Sequence, residues 1–221
     1  LQKVGDFYAA CMDTAAIDRR GIQPITGDLA RIQSIQTAGG IAAAITAFQN
    51  QGRVGPFGFY ADQDLKNSRE MIASIGAGGL SLPDRDYYFK ADERSVKIRA
   101  EFVAHVEKML VLAGDKPEAA AAAAKVVLAF ETVLAGATMT NVQRRDPYAS
   151  YHKMDFAGLQ SLTPDFDWKP LFKQFNLPES TPINVDEPEF LKKMNEQLKT
   201  APLADWKTSR LCFGVGSRSR A

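Results

Sequence analysis

Gly78-Gly79-Leu80-Ser81-Leu82-Pro83-Asp84-Arg85-Asp86-Tyr87-Tyr88 is the stretch on which the reading of this 221-residue chain turns. Gly78-Gly79 frees the backbone, Pro83 fixes the next turn, and three charges sit beside two aromatic rings. Taken alone, the residues predict a structural corner in which Asp84 or Asp86 pairs with Arg85 while Tyr87 and Tyr88 cover the hinge. Paired charges of this kind are more often structural than catalytic. An enzyme using Asp84 and Asp86 would need an activating neighbour and a cleft, and the sequence shows neither.

The flanks of the corner have their own periodicities. Upstream, Phe57, Phe59 and Tyr60 predict a strand, Asp64 to Ser68 a turn, and Met71 to Ile75 the returning strand. Downstream, Phe102, Val103, Val106, Met109, Leu110 and Ala113 share a helical face that Gly114 ends. Asp115 can cap the next helix, with Pro117 in its first turn and Glu118 three residues on, as in a capping box. Alanines 119 to 124 start that helix and invite close packing, and Val126, Val127, Phe130 and Leu134 carry it on, so the two form an antiparallel helical hairpin.

At the N-terminal side, residues 3 to 19 predict one helix that ends at Gly21, with Pro24 just beyond. Leu29, Ile32 and Ile35 follow Thr26 or Asp28 as cap, and Ile41, Ala44, Ile45 and Phe48 continue the helical period. After Pro147 two short helices are expected near Phe156 to Leu159 and Trp168 to Phe172, then one extended piece at Ile183-Asn184-Val185. Glu189 to Lys199 predicts a helix burying Phe190, Leu191, Met194 and Leu198. The expected fold class is mainly α: a helical domain with an antiparallel helical hairpin and one small β-hairpin.

Four segments, in order, resemble the neprilysin and endothelin-converting-enzyme family of zinc metallopeptidases. Gly79, Leu80, Leu82, Pro83, Arg85, Asp86, Tyr87 and Tyr88 match its Gly-Leu-x-Leu-Pro-x-Arg-Asp-Tyr-Tyr segment, positions that carry shape rather than chemistry. Lys3-Val4-Gly5-Asp6-Phe7-Tyr8 leading to Cys11 is similar to its early helix with Tyr-x-x-Cys. Asp62-Gln63-Asp64-Leu65-Lys66-Asn67-Ser68 is similar to its Asp-x-Lys-Asn-Ser turn. Arg145-Asp146-Pro147 with Tyr151-His152-Lys153-Met154 follows its Arg-x-Asp-Pro and Tyr-x-Lys-Met run. Ordered matches over residues 1 to 208 are far more specific than any single motif.

The chemistry of that family rests on a His-Glu-x-x-His helix, whose histidines one turn apart bind zinc while the glutamate activates water. This chain has two histidines, His105 and His152, and four residues after them stand Met109 and Phe156. His105 lies beside the apolar stripe of the first hairpin helix and predicts a boundary or solvent-facing side chain; His152 is expected to be structural. No residue matches a catalytic, cofactor-binding or zinc-binding position of the family. The resemblance implies that zinc belongs to the parent enzyme and that a C-terminal catalytic domain of the same polypeptide, acting on peptide substrates, is this chain's partner. The opening at Leu1 implies an internal piece of the N-terminal region.

Residues 1–208 are therefore expected to form a partial N-terminal domain and 209–221 a tail outside the family pattern. For Ser209 to Ala221, rich in Gly, Ser and Arg and without helical periodicity, a frameshift or truncation after Thr208 and a natural flexible tail are both open. Cys11 falls where the family has a half-cystine whose partner lies much later; a buried free thiol is the alternative, and pairing with Cys212 cannot be inferred from sequence.

Composition sets outer bounds. Hydrophobic residues are 45% and charged residues 24%, ordinary for a chain able to bury a core. A net charge of +1 gives no field to recruit nucleic acid or anionic membrane. No apolar run is expected to reach the ~20 residues that span a bilayer. Family resemblance implies a periplasmic or extracellular setting, with no signal segment in this chain. Two functions remain in view: the cavity-enclosing N-terminal part of a zinc metalloendopeptidase, and a stand-alone helical binding module. On the first, apolar surface should be exposed, foremost on the helix holding Phe190 and secondly on that holding Phe7, Tyr8 and Cys11.

Overall fold

The computed structural model describes residues 1–49, 51 and 55–216, with side chains through Ser209. The expected hairpin is present: β1 (Phe57–Asp64) pairs antiparallel with β2 (Asn67–Ala77), from Phe57 opposite Ala77 to Gln63 opposite Met71. It belongs to a larger sheet than expected. β3 (Lys153–Met154) and β4 (Ile183–Val185) extend it into a four-stranded mixed sheet of order β1-β2-β4-β3. β4 runs parallel to β2, with Ala73 opposite Ile183 and Ile75 opposite Val185, and antiparallel to β3. The extended piece expected at Ile183-Asn184-Val185 is β4, but two- and three-residue strands carry too little alternation to signal their pairing.

Alternation along the long strands gives the sheet two unlike faces. Phe57, Phe59, Ala73, Ile75, Ile183 and Val185 turn to the main core. There α4 (Ala38–Gln49), α8 (Phe156–Leu162), α9 (Lys169–Gln174) and α10 (Pro188–Thr200) contribute their apolar faces. Edge-to-face and tilted contacts among Phe57, Phe166 and Trp168 set the centre, with ring centroids 4.4–5.5 Å apart. The Trp168 indole donates to Thr163 Oγ1 at 2.6 Å, satisfying its one polar atom in the interior. The opposite face, bearing Gly58, Tyr60, Asp62, Ser74 and Asn184, is polar and lines a cleft.

The helical hairpin is α6 (Glu93–Leu112) against α7 (Pro117–Gly136), packed through Val106, Leu110, Ala120, Ala124 and Val127. Of the alanine block, Ala120 and Ala124 are buried at the contact, while Ala119 and Ala122 face outward. The join differs from expectation. Asp115 does not cap α7; its N–H bonds Leu110 O while Gly114 N–H bonds Val111 O, so both residues close α6 in a Schellman turn with Gly114 at φ +108°. The N-cap of α7 is Lys116, without a side-chain bond. By length and composition α7 is one helix able to cross a bilayer, correcting the expectation that no such run exists. Its buried Ala120, Ala124, Val127, Phe130, Glu131 and Leu134 pack inside the fold, as a core helix does.

The first predicted helix is two: α1 (Gln2–Met12) and α2 (Thr14–Arg20), because Asp13 leaves helical geometry to cap α2 through Ala16 N–H. α3 (Thr26–Gln33) starts after Ile25 without a side-chain cap, so neither Thr26 nor Asp28 serves as one. α11 (Leu203–Gly216) runs through Thr208, where a non-helical tail was expected to begin. Residues 217–221 and the sulfur of Cys212 lie outside the described residues.

Candidate functional site

The Gly78-to-Tyr88 corner is built as a clamp on α7. Gly79 sits at φ +70°, and a Cβ there would lie 2.8 Å from Pro56 Cα, so only glycine fits the close approach. Glu131, on α7 and fully buried, takes three bonds from the corner: Ser81 N–H at 3.1 Å, Ser81 Oγ–H at 2.7 Å and Tyr88 O–H at 2.5 Å. Leu82 N–H in turn donates to the Tyr88 hydroxyl at 3.1 Å. Burial pushes the Glu131 carboxyl up, partly offset by those donors, and burial beside the same carboxylate pushes Tyr88 up. Leu82 and Tyr88 pack with Ala135, while Leu80 touches both this cluster and the main core.

The corner is structural, as its residues predicted, but the charge pairing is not the expected one. Arg85 pairs with neither Asp84 nor Asp86. Asp86 at the start of α5 (Asp86–Phe89) bridges Lys90 at 3.0 Å. Asp84 accepts from Asp86 N–H and from Asn141 Nδ2. The Arg85 guanidinium lies 5.6 Å from the Phe89 ring centroid, its Nε buried without a partner. Arg99 fixes the corner's exit by donating to the carbonyls of Tyr87 and Lys90 at 2.7 and 2.8 Å. Local spacing suggested the short-range pairs; Glu131, 50 residues from Ser81, left no signal a single sequence could reveal.

Two other singled-out segments meet in space. Asp64, at the hairpin turn and only 2% exposed, accepts Lys153 Nζ at 2.7 Å, Tyr151 O–H at 3.0 Å and Lys66 N–H at 2.8 Å. Lys153 beside it, with those donors, lowers the Asp64 carboxyl to about 2. His152 Nδ1 lies 3.0 Å from Val185 O, and its N–H donates to Asn184 Oδ1, a structural role. His105 is exposed on α6.

These segments frame the cleft on the polar sheet face, about 430 Å³ in volume. The chain after α7 forms one wall through Met139, Arg144, Ser150 and Tyr151. Arg144 is tied to Glu187 at 2.9 Å. Asp186 accepts the Tyr60 hydroxyl and Asn184 Nδ2, and burial pushes its carboxyl up, with Glu187 and Asp62 adding like charge. The cleft the sequence did not show therefore exists, with carboxylates other than Asp84 and Asp86.

Among the described residues no three His, Cys, Asp or Glu side chains converge to hold a metal ion. Zinc is implied by the family, and the residues present do not fit it. Cys11 is an exposed free thiol on α1, which removes the buried-thiol alternative. The apolar surface expected on α10 is absent, since Phe190, Leu191, Met194 and Leu198 are all in the core; α1 and α2 instead expose Val4, Phe7, Tyr8, Met12 and Ile17.

Fold and motifs together define the N-terminal region of a peptidase. The model of Peptidase family M13 matches residues 1–210, and the chain belongs to that family. Human endothelin-converting enzyme 1 is 29% identical over 209 residues, covering 90% of this chain and 27% of that enzyme. Neprilysin-3 of Drosophila melanogaster is 32% identical over 146 residues, covering 63% of this chain and 19% of that protein. The inhibitor-bound zinc metalloprotease Zmp1 of Mycobacterium tuberculosis superposes with a TM-score of 0.88 at 31% identity, covering 97% of this chain and 33% of Zmp1. PepO of Lactobacillus rhamnosis shares the fold, with a TM-score of 0.73 at 16% identity. The chain thus spans about a third or less of the length of these relatives.

Proposed function

We propose that this chain is the cavity-enclosing N-terminal part of a zinc metalloendopeptidase, with residues 1–208 supplying shape and the remainder of the polypeptide supplying metal and catalysis. The observation that carries this reading is the surface of α1. Phe7 and Tyr8 are 68% and 65% exposed, beside Val4 and Met12, on an amphipathic helix with no buried residue of its own. A surface of that kind is built to be covered. The cover in this reading is the part of a peptidase that the chain does not span, which the match to a third of Zmp1 supports. Gly79, Leu80, Leu82, Pro83, Arg85, Asp86, Tyr87 and Tyr88 then act by holding the corner on α7, not by touching substrate. An exposed Cys11 fits a half-cystine whose mate lies in the covering part, in keeping with a periplasmic or extracellular enzyme acting on peptides.

A chimera tests this. Residues 1–208 replace the matching third of Zmp1, and hydrolysis of a fluorogenic peptide is measured beside the 221-residue chain alone. The expected result is peptide hydrolysis by the chimera and none by the chain, which after a chelator wash holds no stoichiometric zinc. Hydrolysis by the chain alone with one bound zinc would overturn the reading. A correctly folded chimera without activity would count against interchangeable shape.

A further inference from the structure

The cleft on the polar sheet face has no part in the reading above. Its volume of about 430 Å³ suits one side chain with its flanking backbone, at the small end of the ~300–1,000 Å³ of ligand pockets. Its floor carries two glycines. Gly58 and Gly76 face each other across the β1–β2 ladder, and a Cβ on Gly76 would lie 2.9 Å from Asp186 Oδ2 and 3.1 Å from the Tyr60 hydroxyl. Glycine there lets Asp186 and Tyr60 lie against the strand, and any larger residue would displace them.

The electrostatics select the ligand. Asp62, Asp186 and Glu187 line the cleft against one lining cation among the described residues, Arg144. Arg144 is ion-paired to Glu187, whose second oxygen takes Met139 N–H, so the charge of that carboxylate is already balanced. Asp186 differs: Tyr60 O–H uses Oδ2 and Asn184 Nδ2 uses Oδ1, and among the described residues no cation lies within ion-pair distance. A carboxylate offers about four lone-pair sites, so each Asp186 oxygen keeps one, the spacing that a guanidinium fork fills. Tyr60, 42% exposed, adds an aromatic surface beside that carboxylate. Rings of this kind already serve cations here, as Lys66 Nζ stands 4.7 Å over the Tyr151 ring. An anion would meet a net negative lining, and a metal ion would find no converging ligand trio among the described residues.

We propose that this cleft binds the guanidinium of an arginine side chain carried by a peptide, with Asp186 as its carboxylate partner and the Tyr60 ring as its stacking surface. The inference goes beyond the peptidase reading, and either can fail alone, because binding is read on the chain itself without catalysis. Desolvation of Asp186 strengthens the pairing, since a guanidinium restores the charge balance that burial and the neighbouring Glu187 and Asp62 disturb.

The probe is Nα-acetyl-argininamide titrated into the 221-residue chain, with the citrulline analogue as the neutral control of equal shape. Binding is followed by calorimetry and by backbone amide shifts. The expected result is saturable binding, with a Kd on the order of 1 mM or tighter, for the arginine compound only. Shifts should centre on Gly58, Ser74, Gly76 and Asp186. Asp186→Asn should weaken binding by roughly tenfold or more, and Gly76→Ala should abolish it by displacing Asp186 and Tyr60 from the strand. Each variant is checked by its melting curve, and if neither folds the location of the wild-type shifts decides. Equal binding of arginine and citrulline compounds, shifts centred elsewhere, an Asp186→Asn variant of unchanged affinity, or no saturation by ~10 mM would each overturn the assignment.

Discussion

α10 and α1 are both amphipathic helices with aromatic anchors, and they have opposite fates. Phe190 in α10 is fully buried, whereas Phe7 in α1 is 68% exposed. Nothing in the period of either stripe distinguishes them, because periodicity reports that a face is apolar and not what lies against it. What separates them is company. α10 docks on α7, α4 and α8, while α1 buries no residue at all. Proximity to a suspected break pointed to α10 as the exposed helix; the packing of β4 immediately before it carries α10 into the core.

The comparison is broken most easily at its buried end. Trp168→Ala, at the centre of the sheet-side core and removing the donor to Thr163 Oγ1, should cost about 3–5 kcal/mol in urea unfolding, and Phe190→Ala a similar amount. Phe7→Ala should change stability by no more than ~0.5 kcal/mol. A Phe7→Ala cost equal to that of Phe190→Ala would mean that α1 is packed, and the contrast between the helices would be lost.

A smaller effect sharpens the role of the corner. Tyr88→Phe removes one donor from the buried Glu131 and the acceptor of Leu82 N–H, which should destabilise by about 1–3 kcal/mol with the fold retained. If stability is unchanged, the clamp does not hold the corner.

The Asp64–Lys153 pair gives a pH signature of known sign. Asp64 is lowered from 3.8 to about 2, so its contribution is complete above pH 3.8 and is lost as pH falls toward 2. Glu131 is shifted the other way; its contribution is present below 4.5 and is lost as pH rises through its raised folded value. Melting temperatures from pH 6 to pH 2 should therefore fall less steeply on the acid side for Lys153→Met than for the unmodified chain. Parallel acid limbs would show that the ion pair does not set the shift.

Much of this architecture was legible because long elements have strong local signals. The stripe of Val106 and Leu110, the alanine block of α7 and the alternation of Phe57 and Phe59 each announce the element and its apolar face by period alone. β3 and β4 were not legible as sheet, since Lys153-Met154 acquires meaning only from its pairing with Asn184 and Ile183. The cleft was hidden for the same reason: Tyr60 and Asp186 are 126 residues apart and meet only through the parallel β2–β4 register. Recognition fared better than geometry. Motifs that look scattered in the chain turn out to bind one another, Asp64 to Lys153 and Tyr151, which is a physical reason for residues of that type to occur together.

The claim that α1 is a face awaiting its cover is tested most directly by light scattering of the 221-residue chain beside a Val4→Ser, Phe7→Ser, Tyr8→Ser triple variant. The unmodified chain should self-associate as concentration rises, and the triple variant should remain monomeric with an unchanged melt, because the substituted side chains touch no core. A monodisperse monomer for the unmodified chain, with a cooperative melt, would contradict the account and favour a stand-alone binding module.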